Sequence, residues 1–201
     1  MNNLTLTAVP HIPHVQPGDD LTGLILHALA QANMMLADGD VLAIAQKIVS
    51  KAEGRLVRLA DVQPSERAIE VAEATDKDPR VVELILQESE EISRMRRGVL
   101  IVRHRLGFTS ANAGIDRSNV AQSGDEETVL LLPVDPDGSA ARLRDDIAAR
   151  LGVQVGVVIT DSHGRPFRMG TVGVAIGVAG IPALWDRRGE ADLYGYELQH
   201  T

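Results

Sequence analysis

Residues 153–180 read VQVGVVITDSHGRPFRMGTVGVAIGVAG. The first part, Val153 to Thr160, is almost continuously apolar and rich in β-branched residues, which predicts a buried central strand. At its carboxyl end come Asp161 and Ser162. The last part, Thr171 to Ala179, alternates strictly: Val172, Val174, Ile176 and Val178 fall on one face, and Gly173, Ala175, Gly177 and Ala179 on the other. Period two predicts a second strand. Its second face carries almost no side chains, so another backbone or a ligand is expected to approach it closely.

Working outward, the other elements alternate in type without a regular strand–helix–strand rhythm. Leu4 to Val9 reads as a first strand, followed by an ordered loop HIPHVQPGDD with three prolines nearby. Asp19 or Asp20 caps a helix predicted from about Leu21 to Leu36. Val41 to Ala45 is a short strand. Gln46 to Lys51 follows directly, and Arg55 to Leu59 is expected to return as a hairpin across Glu53-Gly54. Pro64–Thr75 and a stretch from Asp78-Pro79 to about Ser89 are helical in pattern. Ile92 to Arg97 is polar and basic, Gly98 to Val102 is a strand, and Leu106 to Ala111 is its expected partner. Thr128 to Leu132 is a further strand. Asp135-Pro-Asp-Gly reads as a turn, with Ser139 capping a helix to Leu151. This order predicts an α+β fold: mixed, largely antiparallel sheets with flanking helices.

The chain has 201 residues and is 44% apolar, enough to bury a real core. No repeat, low-complexity tract or flexible linker is visible. Net charge is −8 and only 2% of residues are aromatic, which argues against nucleic acid as a partner. The absence of cysteine removes disulfides, thiolate metal sites and cysteine nucleophiles, so any metal is held by oxygen or imidazole. The N-terminus lacks a secretory pattern, and the longest apolar stretch, Val172 to Trp185, is broken by three glycines and Pro182. A cytoplasmic protein with no membrane partner is the expectation.

Familiar nucleotide and hydrolase signatures, among them GxxxxGK[ST], GxGxxG, HExxH and GxSxG, do not occur. Three other segments carry chemistry. In NAGIDRSNV (112–120), Asp116 and Asn119 offer a carboxylate and an amide oxygen suited to a hard divalent cation, although an Asx turn explains the same pair. In VVITDSHGRPFRMG (157–170), the strand delivers Asp161 and Ser162 at its carboxyl end. Gly164 permits a turn there, and Arg165 and Arg168 bring two guanidinium groups suited to phosphate or carboxylate. In AQKIVSKAEG (45–54), Gln46, Lys47, Ser50 and Lys51 are phosphate-binding candidates. Arg outnumbers Lys 17 to 3, yet two of the three lysines stand here, and Lys is the compact point charge. If the segment continues a strand, Lys47 and Lys51 share a face. Pairing of Glu53 with a lysine is the purely structural explanation. His11 and His14 are the only histidines close in sequence. Combined, the three segments have the grammar of phosphoryl transfer: a divalent ion bridging phosphates, with cations around it.

GDVLAIAQKIVSKAEGR (39–55), GIDRSN (114–119), LLPVDPDGSA (131–140), VITDSHGRPFRMG (158–170), the Gly/Ala–Val strand and LYGYEL (193–198) together resemble the coenzyme F-420 gamma-glutamyl ligases (CofE-like). The likeness runs in order from HIPHVQPGDDL to Thr201. It implies an intertwined α/β fold, read as one ligase unit over 1–201 or two interleaved subdomains within it, and a homodimer. It implies GTP-dependent addition of L-glutamate to the lactyl carboxylate of the deazaflavin coenzyme precursor, through an acyl phosphate. Carried onto this sequence, Asp116, Asp161 and Ser162 are implied metal ligands for Mg²⁺ or Mn²⁺, with K⁺ as a helper ion. Asp116, Asp161 and Lys51 are the implied catalytic groups. Gln46, Lys47, Lys51 and Asn119 are implied nucleotide contacts, and His11, Ile12, Pro13 and His14 correspond to a nucleotide-binding loop in which relatives favour Gly at position 11. Arg165 and Arg168 match the motif as phosphate or substrate contacts. The family's further C-terminal segment, with another metal-binding Gln, is expected to be missing here. Two readings compete with this one: another nucleotide-dependent carboxylate–amine ligase or phosphotransferase, and a nucleotide-binding module without turnover.

Overall fold

A computed structural model describes residues 3–122, 127–164 and 169–199. In chain order they form α1 (Leu21–Gln31), β1 (Val41–Ala45), α2 (Gln46–Ala52), β2 (Leu56–Arg58), α3 (Glu66–Thr75), α4 (Pro79–Gln87), β3 (Ser89–Arg96), β4 (Val99–His104), β5 (Thr109–Ala111), β6 (Thr128–Leu130), α5 (Pro136–Leu151), β7 (Gly156–Gly164) and β8 (Thr171–Ala179). Three sheets result, ordered β1-β7-β8, β2-β6 and β3-β4-β5. Only the β1–β7 pair is parallel, so the fold is the expected α+β type with largely antiparallel sheets.

β7 is the central strand of the first sheet, as its apolar run predicts. Its residues alternate along the strand, so Val157, Ile159 and Asp161 share the buried face. Val157 and Ile159 join Leu21, Ile25 and Leu29 of α1 and Leu143 and Ile147 of α5 in one core. A second core lies between α3, α4 and β4, around Val71, Val82, Ile85 and Val102. A smaller one joins Leu84 of α4 to Val129 of β6 and Leu131 just beyond it. Residues 56–131, which carry the second and third cores, therefore lie in sequence between the two halves of the first sheet.

The small face of β8 has the consequence its pattern predicts. A Cβ at Gly177 would stand 2.5 Å from the carbonyl carbon and oxygen of Pro136, so the first turn of α5 packs directly on that backbone. The Asp137 carboxylate accepts a hydrogen bond from the Val178 N–H there, at 2.8 Å. A register shift opposite Ile159 and Thr160 breaks the regular pairing of β7 with β8 at the same level.

Several expectations are corrected. Leu4 to Val9 is not a strand: Leu4 and Leu6 are 86% and 89% exposed, and alternation without a partner strand does not make a ladder. α1 ends at Gln31 instead of near Leu36, where Asn33 turns to φ 53°. β2 forms no hairpin with β1 and pairs with β6 instead. The polar stretch 92–97, for which the sequence predicts no element, lies in β3 except for Arg97, and the side chains of that strand are mostly solvent-facing. α5 is capped by Asp135, which accepts from the Gly138 N–H, with Pro136 at the first helical position; Ser139 lies one turn in. Among the described residues no helix is long and apolar enough to cross a membrane.

Candidate functional site

β1 and β7 run side by side up to the pair Ala45–Thr160. There they part: β1 passes directly into α2, while β7 continues for four residues paired only with β8. Gln46 and Asp161 are the residues that follow on the two strands. The carboxyl ends of neighbouring parallel strands are where such sheets place ligand groups. Asp161 is 8% exposed, at the end of an otherwise apolar buried face. Gln46 is fully buried. Its Oε1 accepts from Ser50 Oγ at 2.9 Å, and its Nε2 is buried with no hydrogen-bond partner among the described residues.

The segment 46–52 is a helix, which corrects the strand reading. Lys47 and Lys51 still share a face, because a spacing of four does so in a helix as well as in a strand. That face meets the 115–120 loop. Lys47 Nζ lies 3.1 Å from Asp116 Oδ2 and donates to Ser118 Oγ at 2.6 Å; Ser118 Oγ in turn donates to Asp116 Oδ1 at 3.1 Å. Lys51 Nζ donates to the Asn119 carbonyl at 2.6 Å. Asn119 is in the left-handed backbone region at φ 57°, one of the residue types that tolerate it.

The start of the loop is fixed by the chain around the end of β6. Asp116 exchanges two backbone hydrogen bonds with Leu130 at the end of β6, 2.9 and 2.8 Å. Gly114 takes φ 67°, and a Cβ there would press to 2.8 Å of Leu132 Cδ1. The Asp116 side chain keeps 26% exposure and that of Lys47 25%.

The structure thus brings Gln46, Lys47, Lys51, Asp116 and Asn119 together around α2, with Asp161 on the strand beside its first residue. Ser162 is exposed at the next position of β7. The 11–14 loop is held by Ile12 against the first core, while His11, Pro13 and His14 stay exposed. His11 has φ 62°, the left-handed region that suits Gly best. Arg165 and Arg168 fall outside the described residues. Glu53 does not pair with a lysine: it accepts from Ser139 Oγ and forms an ion pair with Arg142 at 3.0 Å. Ser118, the hinge between Lys47 and Asp116, was not legible as a site residue; only its place inside GIDRSN pointed there. His163, whose Nε2 lies 3.0 Å from Asp161 Oδ2, is the other missed neighbour.

A divalent hard cation prefers carboxylate and hydroxyl oxygen. The donors at the β7 carboxyl end and the 116 loop are of that kind: the partly open Asp116 carboxylate, the buried Asp161 carboxylate and the exposed Ser162 hydroxyl. In donor chemistry these residues fit Mg²⁺ or Mn²⁺. Among the described residues no group of three or more His, Cys, Asp or Glu stands close enough together to hold a metal ion, here or elsewhere.

Two lysines of α2, the Asp116 and Asp161 carboxylates and the buried Gln46 carboxamide thus stand around α2 and the adjoining part of β7. The sequence model of the family described as F420-0:Gamma-glutamyl ligase matches residues 10–201. A Methanopyrus kandleri protein named Coenzyme F420:L-glutamate ligase is 50% identical over 198 residues, covering 98% of this chain and 75% of that protein. Proteins of the same name from Methanothermobacter thermautotrophicus and Archaeoglobus fulgidus are 47% and 45% identical, covering 98% and 96% of this chain and 77% and 74% of theirs. The chain belongs to the F-420-0:gamma-glutamyl ligase family, ligases of coenzyme F-420 biosynthesis.

Proposed function

We propose that the chain joins L-glutamate to the lactyl carboxylate of the deazaflavin precursor of coenzyme F-420, using GTP. The observation that carries the reading is the Lys47–Ser118–Asp116 cluster, with Lys51 on Asn119, beside the parting of β1 and β7. Two lysines on one helix face, next to carboxylates, suit a nucleotide phosphate chain accompanied by a divalent cation.

A carboxylate is a poor electrophile. In the proposed reaction its oxygen attacks the γ-phosphorus of GTP, the bond to the β-bridging oxygen breaks, and GDP leaves. The glutamate amine then attacks the acyl carbon, the bond to phosphate breaks, and the amine loses a proton as the amide forms. Lys47 and Lys51 bind and orient phosphate oxygens and offset their charge, and Gln46 offers its free buried Nε2 as a donor. Asp116, Asp161 and Ser162 would hold Mg²⁺ or Mn²⁺, which supplies neutralisation of phosphate charge. K⁺ as a helper ion, a nucleotide contact from His11–His14, phosphate or substrate contacts from Arg165 and Arg168, a cytoplasmic setting and a homodimer complete this reading, on the family resemblance alone.

The test is an end-point reaction read by mass spectrometry, with the precursor, L-glutamate, GTP and Mn²⁺. A product heavier by one or more glutamyl units, absent with Asp116→Ala, is the expected result. GTP consumption without the precursor, or no product while Mn²⁺–GDP binds, would replace this reading by another phosphotransferase or by a binding module.

A further inference from the structure

Asp161 is a buried carboxylate at the edge of an apolar core, and such a group needs a partner. Among the described residues the one side chain within ion-pair distance is His163, two positions on along β7 and so on the same face. Both side chains are nearly enclosed, at 8% and 10% exposure. The His163 Nε2 is itself buried and makes no directed hydrogen bond, so Asp161 Oδ2, 3.0 Å away, is the polar atom it stands against.

The ring is held from outside the sheet. Phe108, in the turn between β4 and β5, packs on it with ring centres 5.1 Å apart and planes at 44°. Phe108 stacks in turn on His104, again at 5.1 Å and nearly parallel at 10°. That turn is rigid: the His104 N–H donates to the Phe108 carbonyl at 2.8 Å, and His104 Nδ1 accepts from the Leu106 N–H at 3.0 Å. His104 has no exposure at all. A column of three rings therefore runs from the second core to the carboxylate on β7.

We propose that His163, clamped by Phe108, is a positioning residue that fixes the Asp161 carboxylate in one orientation for a cation. Asp161 stands just past the end of the β1–β7 ladder with no other charged partner among the described residues, and a ligand carboxylate gains affinity when a neighbouring group has already set its direction. The inference rests on the proposed role of Asp161 as a ligand.

The experiment is a Mn²⁺ titration followed by electron paramagnetic resonance of the free ion, with Mn²⁺ alone and with GDP, on wild-type protein and four variants, each also melted. Asp161→Asn should lose affinity by about 100-fold or more, and His163→Ala by about 10- to 100-fold. Phe108→Leu, which keeps apolar bulk without the ring plane, should lose several-fold. His163→Gln, which returns a polar nitrogen at similar reach, should stay within about threefold of wild type, with little change in melting temperature for any of the four. Wild-type affinity in His163→Ala or in Phe108→Leu, against a weakened Asp161→Asn, overturns the positioning role alone. Equal losses in His163→Gln and His163→Ala also overturn it. Wild-type affinity in Asp161→Asn removes the ligand reading, and the positioning role with it. Should His163→Ala melt far below the rest, His163→Gln and Phe108→Leu decide by themselves.

Discussion

Two regions of the molecule set a carboxylate among cations, and they are built in opposite ways. Glu88, at the end of α4, is wrapped. Arg55 donates to one of its oxygens at 2.9 Å, Arg105 approaches the other at 3.0 Å, and His104 Nε2 lies 3.6 Å away. Arg55 also ties Glu88 to the Leu132 carbonyl at 2.8 Å. Asp116 has one lysine and one hydroxyl, and a quarter of its side chain remains open. Burial alone would raise the Glu88 carboxyl, but the His104 ring close by, the hydrogen bond from Arg55 and the charges of Arg55 and Arg105 overcome it and hold it at about 2. Compensation by fixed planar guanidiniums closes a charge off. Compensation by a flexible lysine at an open edge leaves room for a ligand to exchange in. The same residue types thus mark a strut at Glu88 and a candidate site at Asp116, and the number of cations fixed on the carboxylate tells them apart.

The contrast is open to attack, first where the effects are largest. Asp116→Ala should cost about 100-fold or more in turnover, beyond the loss typical of a ligand's supporting partner, while unfolding free energy moves by no more than about 1 kcal/mol. Wild-type rates would put Asp116 in the same class as Glu88. Glu88→Gln should do the reverse: it leaves Arg55 and Arg105 uncompensated and should lower stability by about 3–5 kcal/mol in denaturant unfolding. Because the folded Glu88 carboxyl titrates below its ordinary value of 4.5, its contribution is complete above that pH and is lost as pH falls towards about 2. Wild-type protein should lose stability across that window, and Glu88→Gln should lose less; parallel curves would place the acid sensitivity elsewhere. The smallest effect is expected from Lys51→Ala, which removes one charge-assisted contact. KM for GTP should rise about tenfold, with KM for glutamate nearly unchanged. Equal changes in both would argue against a phosphate contact.

Local chemistry made much of this readable. β7 and β8 were legible because an apolar run and a strict alternation each have one good explanation, and the Gly177 face announced the backbone that covers it. Lys47 and Lys51 were legible as a pair because spacing of four survives the change from strand to helix. Pairings set by distant residues were not. Nothing in residues 55–59 says that β2 meets β6 and not β1, and nothing near Lys47 names Ser118. The Asp161–His163 pair was hidden in plain view: their spacing of two is visible, but the Phe108 ring that gives it meaning comes from another sheet.

The parallel pairing of Val41 with Gly156 has a consequence in time. The whole of residues 56–130 must be made before β7 exists to receive β1, and closing so long a loop is entropically costly until other contacts have shortened it. α2 and the 116 loop can meet early, since β2 and β6 draw their ends together. The neighbourhood of Asp161 is therefore completed late in folding, and a chain arrested before residue 156 carries the lysines and Asp116 without β7.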